Sequence, residues 1–110
     1  MHEIKAIIRS DRLESVIDAL HQIPDLPGIT VSTVTGFGRR QPSDAHGAIE
    51  FGEVAMTKLE VVVPDVILSE ALASIRRAAF TGHPGDGKVF VLPVEQAVKI
   101  RSDEEGIDAL

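Results

Sequence analysis

The sequence predicts an α+β domain with the ferredoxin-like order βαββαβ, in which one antiparallel sheet packs both helices against a single face. Two observations lead to this order: apolar residues alternate with polar ones in four short segments, and they recur at helical spacing in two longer ones. The 110 residues provide for one domain, 1–110, and because 44% of them are hydrophobic while only four are aromatic, the core must be aliphatic.

The first half of the chain contains two predicted strands and one helix. Residues 3–9 alternate around Ile4 and Ile8, which is typical of a strand buried on one face. Residues 11–21 begin with capping residues and carry apolar side chains at helical spacing, which predicts an amphipathic helix. Prolines end this helix, and the β-branched residues of 28–36 predict the second strand.

The second half completes the pattern. Its predicted elements are a third strand at 58–63, a second helix at 65–80, a fourth strand at 89–92, a short fifth strand at 97–101 and an acidic tail. Between the second and third strands, residues 37–57 are rich in glycine and polar residues, which predicts a long mobile loop. Loops of this length are usually functional or disordered.

One face of the predicted sheet has no helix to cover it. Ile7, Val62 and Val89 should point away from both helices, which makes that face too apolar to remain exposed to water. We therefore expect a homo-oligomer that buries it.

Composition excludes several classes of function. The formal net charge of −6 argues against binding to nucleic acid or to an anionic membrane surface. The absence of cysteine excludes disulfides, thiolate metal sites and cysteine nucleophiles. Because the chain has neither a signal-like apolar core nor an apolar run of membrane length, we expect a cytoplasmic protein that is not inserted in a membrane.

Residues 81–88, Thr-Gly-His-Pro-Gly-Asp-Gly-Lys, form the most informative stretch. Its three glycines permit positive φ and let backbone N–H groups turn toward one point, and Lys88 adds a positive charge. These features favour an anion-binding loop next to the fourth strand. A tight turn without special function is the alternative, because Gly-Asp-Gly suits turns of any kind.

Several fragments, in order along nearly the whole chain, resemble the PII signal-transduction family. They are Glu-Ile-Lys-Ala-Ile-Ile-Arg at 3–9, Gly-Ile-Thr-Val at 28–31, Gly-Phe-Gly-Arg at 36–39, Lys-Leu-Glu-Val-Val-Val-Pro-Asp at 58–65, the segment 81–88, Val-Leu-Pro-Val-Glu-Gln at 91–96 and Lys-Ile-Arg at 99–101. The sequence is thus identified as a member of a divergent, PII-like branch.

The resemblance implies a homotrimeric regulator, not an enzyme, that binds ATP, ADP or AMP in three clefts between its subunits. It implies that the long loop regulates a protein partner, either a membrane transporter or a metabolic enzyme. Ile7 and Val62 are expected to flank the adenine, and no catalytic or metal-ligating residue is implied. The other implied nucleotide-binding residues are Gly28, Thr30, Gly36, Phe37, Gly38, Arg39, Arg40, Glu60, Gly85, Asp86, Gly87, Lys88, Lys99 and Arg101.

The chemistry of this set suits phosphates, which require N–H donors and cations. For Arg101 the alternative is a surface ion pair with the acidic tail, and for Glu60 it is an ordinary solvated position.

The sequence departs from the family at positions that serve magnesium and 2-oxoglutarate. Arg40 stands where members that sense 2-oxoglutarate carry a metal-holding Gln, and Met56 stands where they carry a Lys. Because a guanidinium has only hydrogen-bond donors, we expect weakened magnesium binding and no 2-oxoglutarate sensing. Lys99 replaces a frequent Arg, and a chain without tyrosine lacks the family's uridylylated loop Tyr.

Three alternative functions stay open. His46, with Asp44, Glu50 and Glu53, is a candidate metal site of a metal-responsive regulator, although such loop residues are more often only solvated. Arg40 offers a contact for a small anion such as bicarbonate. Weak nucleotide hydrolysis in the clefts is the third, whereas an acylphosphatase-type enzyme is disfavoured because the segment after the first strand lacks the glycine turn of its phosphate cradle.

Overall fold

A four-stranded antiparallel sheet with two helices forms the protein. The computed structural model describes residues 1–40 and 50–110, without the side chains of residues 39, 40, 50 and 51. The elements are β1 (His2–Ile8), a 3₁₀ turn (Ser10–Arg12), α1 (Leu13–His21), β2 (Thr30–Arg40), β3 (Glu50–Val63), α2 (Asp65–Ala79), β4 (Gly87–Pro93) and a second 3₁₀ helix (Gly106–Ala109). The strand order β2-β3-β1-β4 confirms the predicted ferredoxin-like fold.

The core lies between one face of the sheet and both helices. Alternate residues of β1 and β3 are buried with at most 2% of their surface exposed, namely Ile4, Ala6, Ile8, Leu59, Val61 and Val63. Against them α1 packs Val16 and Leu20, and α2 packs Ala71 and Ile75. These helical residues are four apart in each pair and so lie on one side of their helix, as the sequence periodicity predicts.

Arg12 ties the first helical segment to the end of α2. Its Nε and Nη2 donate to the carbonyl oxygen of Ala78 at 2.9 and 2.7 Å. A helix leaves its last carbonyl groups without intrahelical donors, so this guanidinium serves as a cap supplied by a distant part of the chain.

Both helices are short. α1 has 9 residues and α2 has 15. Within the described ranges, no helix has the length and apolarity needed to cross a membrane.

The other face of the sheet, here called the open face, carries no helix. Residues directly opposite one another in antiparallel strands share a face. The register therefore places Ile7 beside Lys58 and Lys88, and Val62 beside Glu3, on this open face. The face mixes apolar and charged side chains.

The register also corrects one prediction about the open face. Val89 pairs with Ala6, which is buried in the core, and Val89 packs against that core from the helix side. The prediction for Val89 was wrong because alternation along a strand is set by pairing, which the sequence of β4 alone does not reveal. Phe90 and Leu92 occupy the open face instead, with 50% and 38% of their surfaces exposed.

β2 and β3 continue together beyond the rest of the sheet. β1 ends at the pair Ile8–Thr57, whereas β2 and β3 remain paired as far as Arg40–Glu50. The predicted loop 37–57 is therefore strand at both of its ends, because the pairing of β2 with β3 continues past the end of β1. The prediction that this loop is mobile concerns residues 41–49, which lie outside the described residues.

This two-stranded extension, from Val34–Met56 to Arg40–Glu50, is called the ribbon below. Its seven residue pairs are separated by six steps and span about 20 Å at roughly 3.3 Å per residue. The ribbon accounts for the elongated shape of the chain, whose longest dimension is 59 Å.

A tight turn replaces the predicted fifth strand at 97–101. In the described part of the chain, the pairing found there is a single bridge between Val98 and Glu105. The N–H of Asp103 donates to the carbonyl oxygen of Lys99 at 2.8 Å, and Asp103 has a φ of 63°. The chain reverses too soon for a strand to form.

Candidate functional site

Asp86 organises the loop between α2 and β4. Its carboxylate accepts hydrogen bonds from the N–H groups of Thr81 at 2.8 Å and Gly82 at 3.0 Å, from the Thr81 hydroxyl, and from Arg9 Nε at 2.9 Å. Arg9 Nη2 also donates to the carbonyl oxygen of Pro84 at 2.6 Å. The four residues Arg9, Thr81, Pro84 and Asp86 are called the clasp.

These donors determine the charge of Asp86. The hydroxyl and N–H of Thr81, followed by Arg9 and the N–H of Gly82, hold the pKa of Asp86 well below its usual range. Asp86 is therefore ionised at neutral pH. Its carboxylate is directed into the loop, so its part in the predicted nucleotide site is that of a residue shaping the loop.

Gly87 lies directly against β1. A Cβ atom at this position would stand 1.8 Å from the carbonyl oxygen of Ile7, and the φ of Gly87 is 95°. Both the close approach and the positive φ exclude a side chain. Lys88 follows on the open face, where its exposed side chain adds a cation beside the loop.

A cavity of about 480 Å³ lies at the other end of the sheet, where β1 and β2 begin. It brings together four of the predicted site residues, Gly28, Thr30, Glu60 and Val62. Its other lining residues are Glu3, Pro27, Val61, Ala109 and Leu110.

Two carboxyl groups meet in this cavity. A hydrogen bond between Glu3 and Glu60 raises the pKa of Glu3 and lowers the pKa of Glu60. The carboxylate of Glu60 also lies 3.6 Å from Lys58 Nζ. Glu60 is therefore the more acidic of the two, and its carboxylate offers an acceptor to N–H or O–H groups of a ligand.

The predicted site residues fall into two groups at opposite ends of β1. Glu3 borders the cavity, whereas Ile8 pairs with Gly87 at the loop. Five residue steps separate them, which is about 17 Å along the strand. Ile7 and Val62 also lie apart. Ile7 is opposite Lys58, and Lys58 is four positions from Val62 on β3, which is about 13 Å along the strand. One chain therefore does not hold both residues against a single base.

Lys99 and Arg101 belong to the end of the sheet that holds the cavity. The turn that carries them follows Pro93, which pairs with His2 at the start of β1. After the turn, the second 3₁₀ helix leads to the residues that line the cavity. The cations predicted to bind phosphate are thus divided, with Lys88 at one end of β1 and these two residues at the other.

The Gly-Phe-Gly-Arg segment lies on the ribbon. Gly36, Phe37 and Gly38 belong to β2, and Phe37 is 70% exposed. Arg39 and Arg40 continue the strand, and their side chains lie outside the description. Because β3 and β1 separate β2 from β4, this segment stands about 14 Å across the sheet from the loop of its own chain.

Sequence reasoning overlooked Arg9 and Glu3 as site residues. Arg9 contacts Asp86 across 77 positions, and nothing in its local sequence reveals this contact. The sequence does contain a signal for the other half of the clasp, namely Thr81 and Asp86 at the two ends of a glycine-rich loop. Short polar side chains in such a loop close turns through hydrogen bonds to backbone N–H groups.

Metal ligation is an alternative use of the polar residues. Within residues 1–40 and 50–110, no three His, Cys, Asp or Glu side chains are grouped as a metal site. The candidate ligands His46 and Asp44 lie outside the described residues.

Comparison with known proteins identifies relatives that match nearly the whole chain. The family model for nitrogen regulatory protein P-II matches residues 1–104. The nitrogen regulatory protein P-II of Azospirillum brasilense is 41% identical over 115 aligned residues that cover 100% of both chains. A P-II homolog of Arabidopsis thaliana is 40% identical over 109 residues, 96% of this chain and 55% of its own length.

Two solved structures share the fold. GlnK of B. subtilis superposes with a TM-score of 0.86 at 29% identity, covering 99% of this chain and 97% of that chain. PII of Arabidopsis thaliana bound to citrate superposes with a TM-score of 0.81 at 36% identity, covering 99% of this chain and 91% of that chain.

Proposed function

Because the chain belongs to the P-II family of nitrogen regulatory proteins, we propose that it is a signalling protein that binds ATP, ADP or AMP in clefts between the subunits of a homotrimer. The observation that carries this proposal is the division of the site residues between two ends of one sheet. Each chain supplies two half-sites, and a complete site needs two copies.

The phosphate half-site is the loop with Lys88. It combines backbone N–H groups, glycines that let a ligand approach closely, and an exposed ammonium. In the trimer, Lys99 and Arg101 of a neighbouring copy reach the same phosphates from the other side of the cleft. The cations that lie apart in one chain thereby act on a single ligand.

The base half-site is the cavity at the start of β1. Glu60 accepts a hydrogen bond from the adenine amino group or a ribose hydroxyl, next to the backbone of Gly28 and the hydroxyl of Thr30. Val62 of this half-site and Ile7 of the neighbouring copy supply the apolar surfaces on the two sides of the base. The exposed apolar residues of the open face support an assembly that covers them.

The ribbon and the loop it carries transmit the signal. The ribbon extends beyond the rest of the sheet in which the nucleotide is bound, and Gly36 through Arg39 lie on its β2 strand, at the base of the loop. A change of nucleotide alters the loop, which in turn regulates a protein partner, a membrane transporter or a metabolic enzyme in the cytoplasm.

In this donor set magnesium binding is weakened, and 2-oxoglutarate lacks its anchors. Arg40 presents donors only and repels a divalent cation, and Met56 is buried, with 9% of its surface exposed. A buried thioether provides no positive charge for an oxo-acid. We therefore propose that 2-oxoglutarate does not affect nucleotide binding in this protein.

The direct test is the affinity for ATP measured by calorimetry on Lys88→Ala. The loss of a charge-assisted contact worth roughly 1.5 to 3 kcal/mol should weaken binding at least tenfold. Arg77→Ala is the matched control, because it removes the same kind of charge at an exposed arginine of α2 that is not among the residues of either half-site. Equal affinity of the two variants would refute the phosphate half-site.

A further inference from the structure

Arg9 lies outside every set of residues that the proposed function uses, yet two of its guanidinium nitrogens donate hydrogen bonds to the loop. It follows the last residue of β1, and its carbonyl oxygen accepts from the N–H of Arg12 at 3.0 Å, which fixes its backbone. Its Nε and Nη2 contact Asp86 and Pro84, and its side chain is 32% exposed.

The clasp holds the loop at its beginning, middle and end. Asp86 binds back to Thr81 and Gly82, and Arg9 joins Asp86 to Pro84. A loop with glycines at φ of 85° and 94° has many competing conformations when nothing fastens it. Arg9 is the residue of the clasp that lies outside the loop, directly after the end of β1, so it links the loop to the rigid part of the domain.

We infer that Arg9 is a positioning residue for phosphate binding, which holds the loop in its ligand-ready conformation through Asp86 and Pro84 without touching the ligand. The inference rests on the proposed function. It also assigns Asp86 to the shaping of the loop and leaves direct contact with phosphate to Lys88 and the backbone.

Arg9 acts in two ways. It fastens the loop, so that a larger fraction of the protein is in the conformation that binds the ligand. The apparent affinity rises in proportion to that fraction. It also neutralises the ionised Asp86, whose negative charge near Lys88 otherwise opposes a polyanion. Both effects concern the phosphates and leave the base half-site unchanged.

The test compares ATP with adenosine, the latter measured by competition, on Arg9→Gln and Arg9→Lys. We expect about tenfold weaker ATP binding in Arg9→Gln, a smaller but clear loss in Arg9→Lys, and unchanged adenosine binding in both. Lysine is informative because it keeps the charge but loses the fork that reaches Asp86 and Pro84 together. In a double-mutant cycle, Arg9→Gln should weaken ATP binding much less in the Asp86→Asn background than in the original chain.

Two further variants keep the test decisive. Arg12→Gln is the matched control, because Arg12 contacts α2 and should leave ATP affinity unchanged while lowering stability. Thr81→Val removes one donor to Asp86 without changing charge and should give a weaker form of the same effect, even if the Arg9 variants fold poorly.

The outcomes separate this inference from the proposed function. If Arg9→Lys retains full ATP affinity, Arg9 acts on the ligand by charge, and the positioning role is wrong. It is equally wrong if Arg9→Gln binds ATP as the original chain does, or if adenosine binding falls in parallel with ATP binding. If the unaltered chain binds neither ATP nor adenosine, the proposed function fails and the inference falls with it.

Discussion

The contact between Gly87 and β1 gives the strongest stability prediction. An alanine Cβ would stand 1.8 Å from the carbonyl oxygen of Ile7, whereas a carbon and an oxygen without a bond between them approach to about 3.3 Å. The two backbones must therefore separate by roughly 1.5 Å, which disrupts the pairing of Gly87 with Ile8. A residue with a side chain at a φ of 95° costs about 1–3 kcal/mol by itself, and each lost strand hydrogen bond adds about 0.5–1.5 kcal/mol.

We expect Gly87→Ala to lower the free energy of unfolding by roughly 3 to 5 kcal/mol. Urea unfolding followed by circular dichroism measures it, at a fixed protomer concentration because assembly contributes to apparent stability. Gly106→Ala is the control: its φ is 67°, a Cβ there meets no atom within 4 Å, and the strain of φ alone predicts a loss of about 1–2 kcal/mol. Equal losses in the two variants would refute the close approach of loop and strand.

Four further predictions follow from the contacts described. Arg12→Ala should lower the free energy of unfolding by about 1–3 kcal/mol in a urea titration, because it removes both donors to the Ala78 carbonyl. Ile75→Ala should cost about 2–5 kcal/mol in the same assay, since Ile75 is completely buried. Folding lowers the pKa of Asp86, so the ionised carboxylate stabilises the fold fully above the ordinary pKa of aspartic acid, about 3.9, and this stabilisation is lost as the pH falls below that value. The melting temperature of Asp86→Asn should therefore depend less on pH in the acid range than that of the original chain. Calorimetric titration of 2-oxoglutarate into protein saturated with magnesium and ATP should give no heat, and an increase in ATP affinity would contradict the role given to Arg40.

Much of the fold follows from the sequence because local patterns agree with one another. The alternation of residues 3–9 and the helical spacing of residues 65–80 place β1 and α2 within two residues of their observed bounds. What sequence cannot supply is pairing. The register of β4 decides that Val89 faces the helices. The continued pairing of β2 with β3 makes residues 37–40 and 50–57, which the sequence assigns to a loop, part of the two strands.

The candidate site was predictable to a similar degree. The glycine-rich segment identifies residues 81–88 as an unusual loop, and the family resemblance supplies the list of residues. The division of that list between two ends of the sheet depends on tertiary structure, as does the contact between Arg9 and Asp86. Val98 and Arg101 have the apolar and charged alternation of a strand, but the early reversal at Asp103 prevents one.

The claim that each site is completed by two chains is tested most directly by mixing two defective variants. Lys88→Ala damages one half-site and Arg101→Ala the other, so homotrimers of either variant contain only defective clefts. When the two are unfolded and refolded together, every mixed trimer contains one cleft in which both residues are intact. We predict that this mixture regains ATP binding of nearly the original affinity, measured by calorimetry, whereas the separately refolded variants stay weak. If both residues serve the same ligand from one chain, no cleft is restored, and a mixture that binds no better than its components would contradict the account.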